Sequence, residues 1–239
     1  MNLKKSSNII NPLVVVPARG GSKGVPGKNI RPLNAKPLIQ YTIDRAREIF
    51  EDYQICISTD SEEIKRVVEE SGLKVPFLRP DYLATDTSGT YEVLLHALEF
   101  YKSNGYAPDA IVLLQATSPF RSTSHISQAM SLYNKNLDMV VSVKETSSNP
   151  YYVLFEENES GWLEKSKQAS FDRRQDCPKV WEYNGSIYVI NPDSLKRESH
   201  LKFKKVKKYV MDEFSSLDID TPLDWKIAEC LIGDYLVNK

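Results

Sequence analysis

Between Pro17 and Asn29 the chain reads Pro-Ala-Arg-Gly-Gly-Ser-Lys-Gly-Val-Pro-Gly-Lys-Asn, directly after the apolar run Leu13 to Val16. Four glycines, Gly20 among them, let the backbone approach an anion and turn its N–H groups toward it. Arg19, Lys23 and Lys28 set positive charge around that backbone, and Ser22 adds a hydroxyl donor. A loop of this composition after a strand suits a nucleotide's triphosphate. The spacing matches neither the dinucleotide fingerprint G-x-G-x-x-G nor the P-loop G-x-x-x-x-G-K-[ST], so the chemistry differs from both.

A second constellation lies near the other end. Asp218 and Asp220 stand two residues apart, so on an extended segment both carboxylates project to one face while Leu217 and Ile219 take the other. Paired carboxylates suit Mg²⁺, a hard cation that prefers oxygen ligands. Thr221-Pro222 follows as an N-cap and first-turn proline, which places the aspartates at a strand end just ahead of a helix with the stripe Leu223, Ile227, Ala228, Leu231. Gln115 closes a buried strand, where open parallel sheets present ligands. Arg121 and Arg174 are candidates for a substrate carboxylate or phosphate, since a guanidinium grips oxyanions bidentately.

The elements that must hold these groups alternate. Positions Leu38 to Phe50 follow helical spacing, Gln54 to Ser58 reads as a buried strand, and a helix is predicted over 61–71. A short strand over 74–78, a helix over 90–104, a strand over 110–114, a helix near 125–134 and a strand over 138–143 continue the series. This order predicts an α/β fold with a mainly parallel sheet in a single domain over residues 1–239. Residues 144–180 break the rhythm, being polar but carrying Tyr151, Tyr152, Phe155 and Trp162, and are expected to leave the main sheet. The lysines from Lys202 to Lys208, interleaved with Phe203 and Val206, read as an exposed connection into a strand with a wet face.

Several motifs in order resemble the acylneuraminate cytidylyltransferases, which make CMP-activated sialic and related nonulosonic acids. They are the loop, Leu78-Arg79-Pro80 with Leu83-Ala84-Thr85-Asp86-Thr87, Leu114-Gln115-Ala116-Thr117-Ser118-Pro119-Phe120-Arg121, Asn184-Gly185-Ser186-Ile187-Tyr188 and Leu217-Asp218-Ile219-Asp220-Thr221. The resemblance implies a three-layer α/β/α Rossmann-like nucleotidyltransferase fold and transfer of CMP from CTP to the anomeric hydroxyl of a nonulosonic acid, with release of pyrophosphate. It implies nucleotide contacts at Asn29, Arg79, Ser88 and Thr90 beside those of the loop, with Arg79 reading the pyrimidine, and sugar contacts at Asn184 and Tyr188 beside Gln115, Arg121 and Arg174. Arg19, Lys23, Lys28, Asp218 and Asp220 are then the catalytic set, with Mg²⁺ on the two aspartates. The proton acceptor stays open between an aspartate and hydroxide on the metal.

The resemblance also implies that the excursion makes a homodimer in which Arg174 acts across the interface. Two departures from the sialate enzymes bear on the sugar. Tyrosine stands in Asn149-Pro150-Tyr151-Tyr152 where a lysine is usual, and Glu182 stands where an arginine occurs. The alternatives are a CMP-3-deoxy-octulosonate synthetase and a non-catalytic nucleotide-binding protein on the same fold.

Composition narrows the classes further. With 239 residues, 41% hydrophobic and 26% charged, the chain can bury a full core, and its net charge of -1 supplies no basic field for nucleic acid. Three widely spaced cysteines, Cys56, Cys177 and Cys230, predict neither zinc nor disulfides, and His96, His125 and His200 match no metal spacing. No apolar run reaches membrane length, so a cytoplasmic protein is expected.

Overall fold

A computed structural model describes residues 11–22, 24–83 and 89–237. The elements in chain order are β1 (Pro12–Pro17), β2 (Pro32–Leu33), β3 (Lys36–Pro37), α1 (Leu38–Arg47), β4 (Ile55–Ser58), α2 (Glu62–Glu70), α3 (Thr90–Ser103) and β5 (Ala110–Leu114). They continue with α4 (Thr123–Ser131), β6 (Met139–Glu145), β7 (Phe155–Glu157), β8 (Leu163–Lys165), β9 (Trp181–Ile190), α5 (Pro192–Arg197), β10 (Val206–Val210) and α6 (Pro222–Val237). Six strands form one sheet in the order β10-β6-β9-β5-β1-β4. All neighbours are parallel except β9, which runs antiparallel between β5 and β6, with Leu114 opposite Ile187 and Met139 opposite Ile190.

The strands are apolar on both faces, as a sheet covered by helices requires. On β1, Val14 and Val16 pack with Ile39 and Ile43 of α1, Ile64 and Val68 of α2 and Ile126 of α4. Leu13 and Val15 face the other way, with Leu94 and Leu98 of α3 and Leu195 of α5. The three-layer α/β/α reading of the sequence therefore holds. A third cluster joins Val25 of the loop, Leu38 and Tyr41, Phe120, Ile219 and the α6 residues Trp225, Ala228 and Ile232. This cluster positions the site, because it packs the glycine-rich loop and the Asp218–Asp220 segment against one helix.

Two expected strands are absent. Residues 74–78 make a single parallel bridge, Thr59 to Leu78. Pro76 has no N–H for a ladder, and the Val75 N–H turns to Glu69 Oε1 at 3.3 Å. The segment holding Asp218 and Asp220 is extended but unpaired, fixed by Ile219 N–H donating to the Thr117 carbonyl at 3.0 Å. The alternation expected there holds only in part: Ile219 is fully buried and Asp220 exposed, while Leu217 and Asp218 are both half-buried.

The excursion leaves the sheet after Glu145, where β6 ends, and returns at Trp181. Between them lie the β7–β8 hairpin and a short 3₁₀ turn, Arg174–Asp176.

Edge strand β10 is held in register at its start by one carboxylate. Asp138 accepts from Ser194 Oγ at 2.6 Å and Arg197 Nη2 at 3.1 Å through Oδ1, and from the Lys204 and Lys205 N–H groups at 3.3 and 2.9 Å through Oδ2. The Ser194 hydroxyl bond first, then the backbone donors, hold its pKa below the ordinary carboxylate range. Its stabilising contribution is therefore complete above about pH 4 and disappears as pH falls through the native value. Asp138→Asn is expected to cost about 2 kcal/mol at pH 7 by urea unfolding, with the difference from wild type shrinking below about pH 4.

Candidate active site

The glycine-rich loop leaves the C-terminal end of β1, where ligands sit in open α/β sheets. Its turns are closed from inside: Asn29 Nδ2 donates to the Arg19 carbonyl at 3.0 Å, and the Ser22 N–H to the Gly20 carbonyl at 3.2 Å. Asn29 is buried and spends its amide on the loop itself. Lys28 reaches across to the far segment, where Nζ donates to the Ile219 carbonyl at 2.8 Å and pairs with Asp220 Oδ1 at 2.7 Å. Gly24 touches the same place, since a Cβ there would lie 2.0 Å from the Asp220 carbonyl oxygen. Loop and carboxylate pair, 192 residues apart at Lys28 and Asp220, are thus in direct contact.

Asp218 sits deeper. Its Oδ1 is buried without a hydrogen-bond partner among the described residues. Burial is the largest influence on its pKa, followed by a hydrogen bond with Thr117 that opposes it and the charge of Asp220 that reinforces it; the net effect is a rise to about 6. The next helix begins immediately. Thr221 Oγ1 and the Thr221 N–H donate to Asp224 Oδ2 at 2.8 and 2.7 Å, while the Asp224 N–H returns to Thr221 Oγ1 at 3.2 Å. The threonine N-cap read from the sequence is this reciprocal box.

A bulge in β9 forms the wall opposite Asp218. Pairing with β6 jumps from Val141–Tyr188 to Val143–Tyr183, so Ser142 faces the Asn184-to-Ile187 stretch. The Ser142 hydroxyl accepts from the Ile187 N–H at 2.8 Å and donates to Asn184 Oδ1 at 2.6 Å. Asn184 Nδ2 donates to Ser216 Oγ at 2.8 Å, which ties the bulge to the chain entering Asp218. At its tip Gly185 has φ +72, and a Cβ there would come within 3.0 Å of Asp218 Oδ2. Tyr188 lies near Asp218, stacked edge-on with Tyr183 and His200, and its pKa is pushed up to about 12 by burial first and by Asp218 second. It stays a neutral phenol at physiological pH.

Not every candidate opens onto this site. Asn184 is buried within its network, and Arg121 lies beneath the site at 1% exposure. Arg121 Nη1 donates to the Ser186 and Gln115 carbonyls at 2.8 and 3.2 Å, and Nη2 to Thr42 Oγ1 at 2.7 Å. Burial draws its pKa down to about 9, which leaves it charged at neutral pH. Both side chains therefore brace the ends of β5 and β9 and the Asp218 segment, while Arg121 Nε has no hydrogen-bond partner among the described residues. Gln115 is partly exposed above them.

Arg174 lies elsewhere, exposed on a cleft of about 820 Å³ walled by Lys144, Glu182 and Glu213 but by neither the loop nor Asp218 and Asp220. Arg79 is buried beside Asp60, and Thr90 is the first residue of α3. Lys23 and Ser88, with residues 84–87, lie outside the described residues. Among the described residues, no group of three or more His, Cys, Asp or Glu side chains gathers into a metal cluster. Among the described residues, a cation here would be held by the Asp218 and Asp220 carboxylates, whose chemistry and whose unpartnered Asp218 Oδ1 suit a hard ion that keeps water or substrate oxygens.

The residue missed from sequence is Asp60, which accepts from the loop at Gly20 N–H, 3.1 Å away. Its signal was its place, two residues beyond the C-terminal end of the buried strand Ile55–Ser58.

Comparison with known proteins agrees with this geometry. A family model described as Cytidylyltransferase matches residues 13–231. The chain is 37% identical to CMP-N,N'-diacetyllegionaminic acid synthase of Campylobacter jejuni, over 92% of this chain and 94% of that one. It is 34% identical to N-acylneuraminate cytidylyltransferase of Streptococcus agalactiae over 96% of this chain, and spans 55% of that longer protein. A solved structure of CMP:2-keto-3-deoxy-manno-octonic acid synthetase complexed with CTP shares the fold at a TM-score of 0.69 and 18% identity, covering 94% of this chain and 99% of that one.

The raised Asp218 pKa has a sign that can be checked. A carboxyl whose native pKa of about 6 lies above its unfolded value stabilises the fold most below about pH 4, and that contribution is lost as pH rises through the native pKa. Asp218→Asn, neutral at every pH, is expected to be more stable than wild type by about 2 kcal/mol at pH 8 in urea unfolding and level with it near pH 4. A less stable variant at pH 8 would contradict the assigned burial.

Proposed function

The chain belongs to the cytidylyltransferase family and is a nucleotidyltransferase, and we infer that it transfers CMP from CTP to the anomeric hydroxyl of a nonulosonic acid, releasing pyrophosphate. The observation that carries this reading is the contact between the glycine-rich loop and the Asp218–Asp220 segment, made by Lys28 and Gly24 at Ile219 and Asp220. Attack at the α-phosphorus needs a neutralised triphosphate, an aligned hydroxyl and a stabilised leaving group. The loop N–H groups with Arg19, Ser22, Lys23 and Lys28 serve the first and last needs. Lys28, now on Asp220, exchanges that carboxylate for phosphate oxygens when the nucleotide arrives. Arg79, with Thr90 and the segment containing Ser88, serves the base and ribose.

Asp218 and Asp220 would hold Mg²⁺, which when bound supplies positive charge to the phosphate oxygens. Gln115, at the end of β5, offers an uncharged amide to the sugar acid, and Tyr188 a phenol that stays protonated. Legionaminate-type and sialate-type acids are the leading substrates, as the names of the relatives support. The excursion exposes Leu154, Phe155, Trp162 and Leu163, apolar area that supports contact with a second copy of the chain. A homodimer formed there would bring Arg174 to the neighbouring site. Use of CTP and the three unpaired cysteines support a cytoplasmic location.

The test is pyrophosphate release from CTP and Mg²⁺ with N-acetylneuraminate, N,N'-diacetyllegionaminate and the eight-carbon 3-deoxy-octulosonate offered separately. Turnover with a nine-carbon acid is the expected result, turnover with the octulosonate alone selects the rival enzyme, and CTP binding without turnover selects the non-catalytic reading. In Asp220→Asn, CTP binding is expected to stay within about threefold of wild type while kcat falls at least about a hundredfold. Wild-type turnover in that variant would remove the aspartate from the reaction.

A further inference from the structure

We propose that Asp60 is a positioning residue that locks the phosphate-binding loop to Arg79, so that the two ends of the nucleotide site are set by one carboxylate. The proposal rests on the functional reading above only for what the locked groups bind. One atom makes both contacts: Asp60 Oδ1 accepts from the Gly20 N–H at 3.1 Å and from Arg79 Nη2 at 3.1 Å. Its neighbours reinforce each side. The Arg79 N–H donates to the Thr59 carbonyl at 2.6 Å, and Ser61 Cβ stands 3.0 Å from where a side chain on Gly20 would begin.

Arg79 depends on this arrangement. Its side chain is buried, its Nε has no hydrogen-bond partner, and Asp60 is the carboxylate paired with it among the described residues. His96 also faces the guanidinium, but burial first and the Arg79 charge second hold its pKa below the ordinary histidine range, so it supplies no countercharge. Removing the Asp60 carboxylate would leave a buried cation unpaired and a loop N–H without its acceptor. Both groups would then lose their fixed separation, a loss felt in nucleotide binding more than in turnover.

The loop side is read by amide exchange at Gly20 and the nucleotide side by CTP binding and kinetics, each on the full chain. In Asp60→Ala, exchange at Gly20 is expected to quicken and KM and Kd for CTP to rise, each about tenfold, with kcat within about threefold. Asp60→Asn keeps an Oδ1 acceptor but no charge, so it should return exchange at Gly20 toward wild type while recovering CTP affinity only in part. Arg79→Ala combined with Asp60→Ala should weaken CTP binding by less than the product of the two single losses, the remainder being the Gly20 contact that Arg79→Ala leaves in place. Unchanged exchange and CTP affinity in Asp60→Ala, or losses that multiply in the double variant, would overturn the lock. If Asp60→Ala does not fold, the same cycle run with Asp60→Asn decides: Asn keeps the Gly20 acceptor and loses only the charge facing Arg79, so its smaller loss must vanish in the Arg79→Ala background. Wild-type protein that turns over no sugar acid would count against the proposed function alone, since exchange at Gly20 reads the lock without substrate.

Discussion

A carboxylate taken out of water must find donors or a cation, and at Asp218 the described residues supply only part of what is needed. Among the described residues, Thr117 lends a hydrogen bond, Lys28 lends charge from the loop, and Oδ1 is left buried and unpartnered. Oxygen in that condition costs free energy unless something arrives to coordinate it. The structure around it is arranged to keep the position available. Gly185 leaves room where a Cβ would crowd Oδ2, and Gly24 lets the loop lie on the Asp220 carbonyl. A carboxylate with its pKa shifted by burial beside a phosphate-type loop marks a candidate site for a cation or polyphosphate.

The fold explains why these pieces converge. β1, β4 and β5 run parallel, so their C-terminal ends deliver the loop, Asp60 and Gln115 to one edge of the sheet. β9 runs against them, and its bulge at Asn184 to Ile187 reaches the same edge from the opposite direction. Arg121 sits under the junction and binds carbonyls from β5 and β9 together with a hydroxyl of α1. Beneath the loop and the aspartates, Ile219, Val25 and Trp225 share one apolar cluster, so the reacting groups rest on packed side chains and not on loop hydrogen bonds alone.

Much of this was legible in the sequence, and the exceptions share a cause. Alternating apolar runs marked the buried strands and their covering helices, because a parallel sheet must be apolar on both faces. Thr221-Pro222 marked its helix because capping is a local matter of neighbouring residues. The role of Arg121 was not legible: an arginine in a ligand-binding motif looks the same whether it faces substrate or the carbonyls beneath. Asn184 was hidden in the same way, since its partners Ser142 and Ser216 are far off in the chain. Residues 74–78 have strand-like composition, yet Pro76 denies them a ladder. Asp60 escaped notice because its contacts, Gly20 and Arg79, lie 40 and 19 residues away.

The central claim is that the loop and the Asp218–Asp220 segment form one reaction centre that takes up a divalent cation together with the nucleotide. Electron paramagnetic resonance titration of Mn²⁺ into the protein with saturating CTP tests it most directly. Mn²⁺ affinity is expected to fall at least about tenfold in Asp218→Asn, a loss of about 1.4 kcal/mol, with CTP still bound. Equal Mn²⁺ affinity in wild type and variant would contradict it, and would place the metal on the nucleotide alone.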